Sequence, residues 1–243
     1  KPDNSFPGFK PIKILYWQNF GVGGDYEEPD EVSTRQAANS VAATATTNSL
    51  VVLDIEHWPM TTEGIPETVR KYNQVADWVK SERPELKIGY YGVPPRRNYN
   101  DAITTSTVRL AKWYATNDSL TGMVPHVDIL FPSLYTFNKD KSSWVMYAKA
   151  NIAEAKRLAN GKPIYPYIWF KYHNTTPLKD QYIDREFWRL QLETIRDAGA
   201  DGVVIWGSGG KATWDGSEEW WHETRSFVSS LSQSSDSVPP FAQ

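Results

Sequence analysis

The sequence predicts an α/β chain folded as a distorted TIM-like (β/α) barrel, with six strands rather than a full eight legible in it. Three observations lead there. Short β-rich runs alternate with longer amphipathic segments, the pattern of parallel strands joined by crossover helices. Polar and aromatic residues gather at the C-terminal ends of those strands, the face on which a barrel builds its site; an open doubly wound sheet would bring a glycine-rich nucleotide loop instead. The 243 residues suit one large domain able to bury a substantial core.

The expected strands are 12–18, 50–56, 87–92, 127–135, 163–170 and 202–206, and the expected helices 31–46, 65–82, 102–117, 142–159, 182–198 and 217–231. Punctuation agrees with this reading. Gly161 and Gly199 stand where helix C-caps belong, and Pro84 follows a helix just before the next strand. Gly21-Val22-Gly23-Gly24 lacks the G-x-G-x-x-G spacing and the helix opening that would cradle a pyrophosphate, so a dinucleotide site is not expected. Residues 1–231 read as one barrel domain and the serine-rich residues 232–243 as a flexible tail. A start at Lys1 without Met fits a removed signal peptide, so a secreted or periplasmic protein is expected, as a monomer.

Composition narrows the chemistry. A net charge of -3 argues against a dedicated nucleic-acid binder. No apolar run approaches the roughly 18 residues that span a bilayer. With no cysteine there are no disulfides, thiolate metal sites or cysteine nucleophiles, and His57, His126, His173 and His222 show no ligand spacing, so neither metal nor cofactor is expected. Eleven Trp and thirteen Tyr are more aromatic surface than a core needs, and flat amphipathic rings stack on sugars or bases.

The most informative stretch is Leu50-Val51-Val52-Leu53-Asp54-Ile55-Glu56-His57-Trp58-Pro59, an apolar run ending in two carboxylates. Side chains at i and i+2 leave a strand on one side, so Asp54 and Glu56 should point together with Cβ atoms roughly 7 Å apart. Two carboxyls in a partly dry pocket cannot both ionise at neutral pH, and with Asp54 as the better solvated partner Glu56 would keep its proton to roughly pH 6 to 7 and serve as a general acid. A structural reading also stands open at this point: a strand-end Asp often caps a helix, a neighbouring Glu often meets an Arg, and His57 could join both in a metal site.

Six motifs in order, Leu15-Tyr16-Trp17-Gln18-Asn19, the Asp54 stretch, Gly89-Tyr90-Tyr91-Gly92-Val93-Pro94, Phe131-Pro132-Ser133-Leu134-Tyr135, Pro163 through Tyr172, and Ala200-Asp201-Gly202-Val203-Val204-Ile205-Trp206-Gly207-Ser208, resemble those of the hyaluronidases of glycoside hydrolase family 56. That resemblance implies cleavage of a β-linked N-acetylhexosamine polysaccharide, hyaluronan- or chondroitin-like, within the chain and with retention, the substrate's own acetamido oxygen acting as nucleophile. It implies Glu56 as proton donor and later base, Asp54 as the group orienting the acetamide, Tyr135 and Tyr172 hydrogen-bonding around it, and Trp206 packing beneath it. Tyr91, Trp17 and Trp58 at strand ends, with Arg96 and Arg97, complete the expected substrate-binding set.

The departures are specific. Trp58 is followed directly by Pro59 where the family carries an Arg between them, only about thirty residues separate the first strand from the carboxylate strand, and the animal enzymes' disulfides are absent. Two rival readings are a catalytically inactive carbohydrate-binding barrel and a metal hydrolase using Asp54, Glu56 and His57. Neighbouring strand residues face opposite sides, which disfavours Glu56 and His57 on one ion. Arg96, Arg97, Lys139, Lys141, Lys171 and Lys211 on the catalytic-face loops could focus a polyanionic substrate, and Asp30 or Asp215 could supply the base of an inverting enzyme.

Overall fold

The computed structural model describes residues 8–24, 27–41, 49–207 and 216–235. Its strands are β1 (Lys13–Tyr16), β2 (Leu50–Asp54), β3 (Lys87–Tyr90), β4 (Tyr167–Trp169) and β5 (Val204–Trp206). The helices are α1 (Glu31–Ser40), α2 (Ile65–Glu82), α3 (Tyr99–Ala102), α4 (Thr107–Asp118), α5 (Lys141–Leu158), α6 (Arg185–Asp197) and α7 (Glu219–Ser235). Strands and helices alternate, and every named strand pair is parallel, in the orders β1-β2-β3 and β4-β5.

The expected strand 127–135 forms no continuous ladder. It joins the two sheets through isolated parallel bridges, Tyr91 to Phe131, Leu130 to Ile164 and Ser133 to Tyr167. Pro132, Pro163 and Pro166 lie in these segments, and a residue with no N–H cannot donate to a ladder. Their carbonyls still accept: Leu130 donates to Pro163, Tyr167 to Pro132 and Val204 to Pro166. The parallel order therefore runs β1, β2, β3, the bridged segment, β4, β5, an arc of a TIM-like barrel.

Side chains sort by the two-residue period into a lumen and an outer layer. Val52, Tyr91, Ile129, Phe131, Tyr135, Tyr167, Trp169 and Val204 fill the lumen, with Ile12, Ile14 and Trp206 packed against them, so β1 and β5 meet across the interior. Their neighbours Leu15, Val51, Leu53, Ile88 and Tyr90 face α1 and α2, and Ile168 faces α5, α6 and α7 together with Phe187 and Trp188.

Local chemistry sets the element ends. Asp30, Ser106, Asp140 and Asp184 cap α1, α4, α5 and α6 by accepting the backbone N–H groups of Ser33, Arg109, Ser143 and Phe187. β1 is shorter than expected because a single 3-10 turn, Trp17–Phe20, takes over at Trp17. In the expected tail, α7 continues to Ser235, and residues 236–243 lie outside the described residues.

Gly89 is required by close approach: a Cβ there would stand 2.1 Å from the Ile129 carbonyl oxygen and 2.8 Å from the Phe131 ring. Gly161 meets nothing within 4 Å and needs only its φ of +81°. Gly89→Ala should therefore lower unfolding stability by about 2 to 3 kcal/mol or more, against about 1 kcal/mol for Gly161→Ala. Urea denaturation of both variants checks the order, and equal losses would contradict the packing at Gly89.

Candidate active site

The site is built from β2 outward. Val52 lies in the lumen, so the alternation brings Asp54, last residue of the strand, to the C-terminal mouth of the same lumen. Beyond Asp54 the chain is pinned from outside. Buried Tyr72 of α2 donates its hydroxyl to the Ile55 carbonyl at 2.7 Å, while Tyr90 donates to the Tyr72 carbonyl at 2.7 Å. The Tyr72 ring meets Trp58 edge-on with centroids 4.8 Å apart. Ile55 and Trp58 are thereby held in the core, and Glu56 between them stands at the rim with its side chain 54% exposed.

Asp54 and Glu56 line one cleft of about 280 Å³. This is just under the roughly 300 Å³ at which small-molecule pockets begin. Burial, and secondarily the charge of Glu56, push the Asp54 carboxyl up to about 7. The expected partition is reversed: Asp54, deep under aromatic rings, holds the proton, and Glu56 is the solvated member. Arg97 Nη2 stands 3.8 Å from Glu56 Oε2, and Arg97 Nη1 reaches the Tyr91 hydroxyl at 3.5 Å.

The remaining wall is aromatic. Tyr91 shares a 3.0 Å hydrogen bond with Ser133 Oγ, and burial is the main cause pushing its phenol up to about 12. The Tyr135 ring lies 5.7 Å from Tyr91 and 6.0 Å from both Trp169 and Trp206, which meet edge-on at 4.8 Å. Tyr167 and Trp169 line the same cleft, and their Oη and Nε1 are buried without a hydrogen-bond partner among the described residues. Burial first and then nearby Asp54 hold the Tyr167 phenol above its ordinary range. Unpaired polar groups of this kind are costly in a closed core and useful where a polar ligand enters.

Of the expected residues, Asp54, Glu56, Tyr91, Arg97, Tyr135 and Trp206 come together in the cleft; four others do not. Tyr172 is buried against α6 with Ile168 and Phe187, its phenol sensing Asp184 and Lys141 rather than Asp54. Trp17 leaves β1 through the 3-10 turn and packs on His57 at 4.7 Å, which also keeps His57 from the carboxylates. Trp58 is core, its Nε1 bonded to the Glu27 carbonyl at 3.0 Å. Arg96 is occupied structurally, donating to the Met60 carbonyl at 2.8 Å and, through its backbone N–H, to Asn117.

Half of the expected cationic rim, Arg96 among it, is engaged elsewhere. Lys141 pairs with Asp184 at 3.1 Å, and Lys171 lies over the Tyr182 ring at 4.9 Å. Lys139 is exposed and outside the cleft. Asp30 is spent on its cap. Lys211, Asp215 and Ser208 lie outside the described residues. Sequence reasoning missed Tyr167, Trp169, His173 and Asn174 in the cleft wall. The alternation of Tyr165, Tyr167 and Trp169 along one strand was the signal that could have found the first two.

Two carboxyls and an aromatic wall thus share the C-terminal mouth of a TIM-like barrel, the face on which that class of fold builds its sites. The hyaluronidase family model matches residues 66–228, two-thirds of the chain, and the chain belongs to that family. The matched stretch begins after Asp54 and Glu56. The hyaluronidase of Apis mellifera is 30% identical over 135 residues, 53% of this chain and 34% of that protein. Hyaluronidase Tab y 2.0101 of Tabanus yao is 33% identical over 141 residues, 53% of this chain and 37% of that one. The match thus spans little more than a third of the curated relatives' length. In structure the chain resembles bee venom hyaluronidase with a TM-score of 0.62 at 21% identity, over 90% of this chain and 84% of that one, which shows the fold. That neighbour has also been solved in complex with a hyaluronic acid tetramer.

The raised Asp54 carboxyl has a measurable consequence. The folded chain keeps its proton to about pH 7, whereas an unfolded Asp loses it near 3.8, so between these values the folded state binds more protons and stability falls as pH rises, levelling above about 7. Asp54→Asn should therefore gain on the native chain with rising pH, from near parity at about pH 4 to at most about 4 kcal/mol more stable at pH 8. Urea denaturation at both pH values tests this, and a pH-independent difference would remove Asp54 from the buried, proton-holding position.

Proposed function

We propose that the protein is a secreted, endo-acting glycoside hydrolase that cleaves a β-linked N-acetylhexosamine polysaccharide of hyaluronan or chondroitin type with net retention, through participation of the substrate's acetamido group. The observation that carries this reading is the Asp54/Glu56 pair at the barrel mouth, with the buried Asp54 carboxyl pushed up to about 7, in a chain of the hyaluronidase family. The hyaluronic acid tetramer bound by the solved bee venom neighbour supports the substrate class, and the venom source of that neighbour supports export.

The pair works as a unit. When a sugar fills the cleft, water leaves Glu56 and the shared proton moves to it. Glu56 then protonates the glycosidic oxygen as the bond to the anomeric carbon breaks, while the acetamido oxygen attacks that carbon from the opposite face. Asp54, now ionised, accepts the acetamido N–H and offsets the positive charge of the oxazolinium ring. Water, deprotonated by Glu56, opens that ring and restores the shared proton.

Substrate participation dispenses with a second carboxylate across the sugar, and the described cleft lining contains no carboxyl besides Asp54 and Glu56. Tyr135 is the phenol best placed to hold the acetamide, with Trp206 beneath the sugar and the unpaired Tyr167 hydroxyl and Trp169 N–H as further partners.

Glu56→Gln should lower turnover on hyaluronan by at least ~10² while leaving glycan affinity largely intact. Proton NMR of the first product formed by the native chain should show the β anomer. Near-normal turnover in the variant would remove Glu56 from the chemistry, and an α product would replace participation with direct attack by water. An inactive carbohydrate-binding barrel would bind glycan without any turnover for Glu56→Gln to reduce.

The two tyrosines divide in the same assay. Tyr135→Phe should fold normally and lose roughly ten- to a thousandfold in kcat, the range for one hydrogen bond made to the transition state, whereas Tyr172→Phe should keep kcat within about threefold. A large loss in Tyr172→Phe would return that phenol to the cleft.

A further inference from the structure

We infer that Arg97 and His173 form a carboxylate-recognising pair in the cleft, set to bind the carboxylate of a uronate in the glycan. The inference rests on the glycosidase reading above and adds to it the residues that choose between charged and neutral substrates.

Arg97 is a partly buried cation whose donors are barely used. Its side chain is 34% exposed, and its two polar contacts among the described residues, to Glu56 at 3.8 Å and to Tyr91 at 3.5 Å, are both long. Tyr91 has a shorter partner in Ser133 at 3.0 Å. Other arginines of the chain are tightly held: Arg70 to Glu28 at 2.6 Å, Arg157 to Asp118 at 2.7 Å, Arg189 to Glu193 at 2.6 Å. A guanidinium withdrawn from water with most of its fork unspent has the geometry for a planar, two-oxygen anion.

His173 supplies a second donor, oriented and uncharged. Its backbone N–H donates to the Thr136 carbonyl at 2.8 Å, and its ring lies flat on Phe137 with centroids 4.4 Å apart. His173 Nδ1 lies 2.7 Å from Thr175 Oγ1 and 3.3 Å from the Thr175 backbone nitrogen, which fixes the ring's orientation. With Nδ1 engaged by Thr175, Nε2 is the ring nitrogen left for a ligand in the cleft. Burial and then the charge of Arg97 hold the imidazole below its ordinary range, so it is neutral at pH 7. Both residues line the cleft that holds Asp54 and Glu56.

The charge balance favours the same ligand. With burial and Arg97 holding His173 below its ordinary range, Arg97 is the one full positive charge among the described lining residues. A neutral sugar would leave that charge matched only at 3.8 Å by a solvated Glu56. A uronate would accept from the Arg97 fork and from the His173 ring.

The test compares hyaluronan oligosaccharides with the same oligosaccharides whose uronate carboxyls have been reduced to primary alcohols, through the ratio of kcat/KM for the two. The native chain should favour the charged form by about 30-fold or more, chiefly in KM. Arg97→Gln should bring the ratio to within about threefold of unity. His173→Phe, which keeps the stacking on Phe137, should lower it about five- to tenfold, and His173→Gln, which keeps an N–H donor, should restore most of that loss. Thermal melts confirm that the variants fold, with Arg97→Lys, which keeps the charge but loses the fork, as a second variant expected at an intermediate ratio.

A native ratio near one, or an unchanged ratio in Arg97→Gln and Arg97→Lys, overturns the pair while cleavage of both substrates leaves the glycosidase reading standing. Cleavage of neither substrate by the native chain overturns both.

Discussion

The constraint around which this molecule is arranged is the desolvation of one carboxyl. β2 is apolar up to its final residue, and the strand's alternation delivers Asp54 into a lumen otherwise filled by Val, Ile, Phe, Tyr and Trp side chains. A full negative charge there, without a cation in contact, would be costly, and the carboxyl responds by keeping its proton to about 7. The turn pinned by Tyr72 keeps Glu56 out of that lumen and in water. Two carboxyls on one strand end thus occupy different dielectric surroundings, which gives neighbouring acids separate duties.

The sequence carried much of this. The span 65–82 is the observed α2, because its apolar period is clean and Pro66 sits in its first turn. Five of the six expected strands appear in order, but shorter, since main-chain pairing depends on neighbours hundreds of atoms away along the chain, and three prolines in two segments reduce the sixth to bridges. Asp54 and Glu56 were legible as a pair at the strand's mouth because nothing hydrophobic accounts for charge at the end of such a run. Their difference in burial was not, because depth below the rim is a property of the closed fold. Tyr172 shows the limit of a motif: its parity with Ile168 sends it toward α6, while Tyr167 and Trp169, one step out of phase, take the lumen.

The same limit applies to charge. Six basic residues on the loops of one face read as a polyanion funnel, yet Arg96 props a loop carbonyl, Lys141 closes an ion pair and Lys171 covers a ring. Counting cations along a chain overstates a field when most are neutralised within a few ångströms. Among the described residues the cation lining the cleft is the Arg97 guanidinium, and its weight comes from low local dielectric rather than from number.

The row of bridges between β3 and β4 also decides how the cleft is held open. Asp54, Glu56 and Tyr91 stand on one side of that seam, Trp169 and Trp206 on the other, and Tyr135 on the seam itself. Main-chain hydrogen bonds cross it from Gly92 to Phe131, Leu130 to Pro163, Tyr165 to Leu130, Tyr167 to Pro132 and Leu134 to Tyr167. The floor of the cleft is therefore also the junction of the two sheets, and the spacing of its walls is set by backbone rather than by side chains.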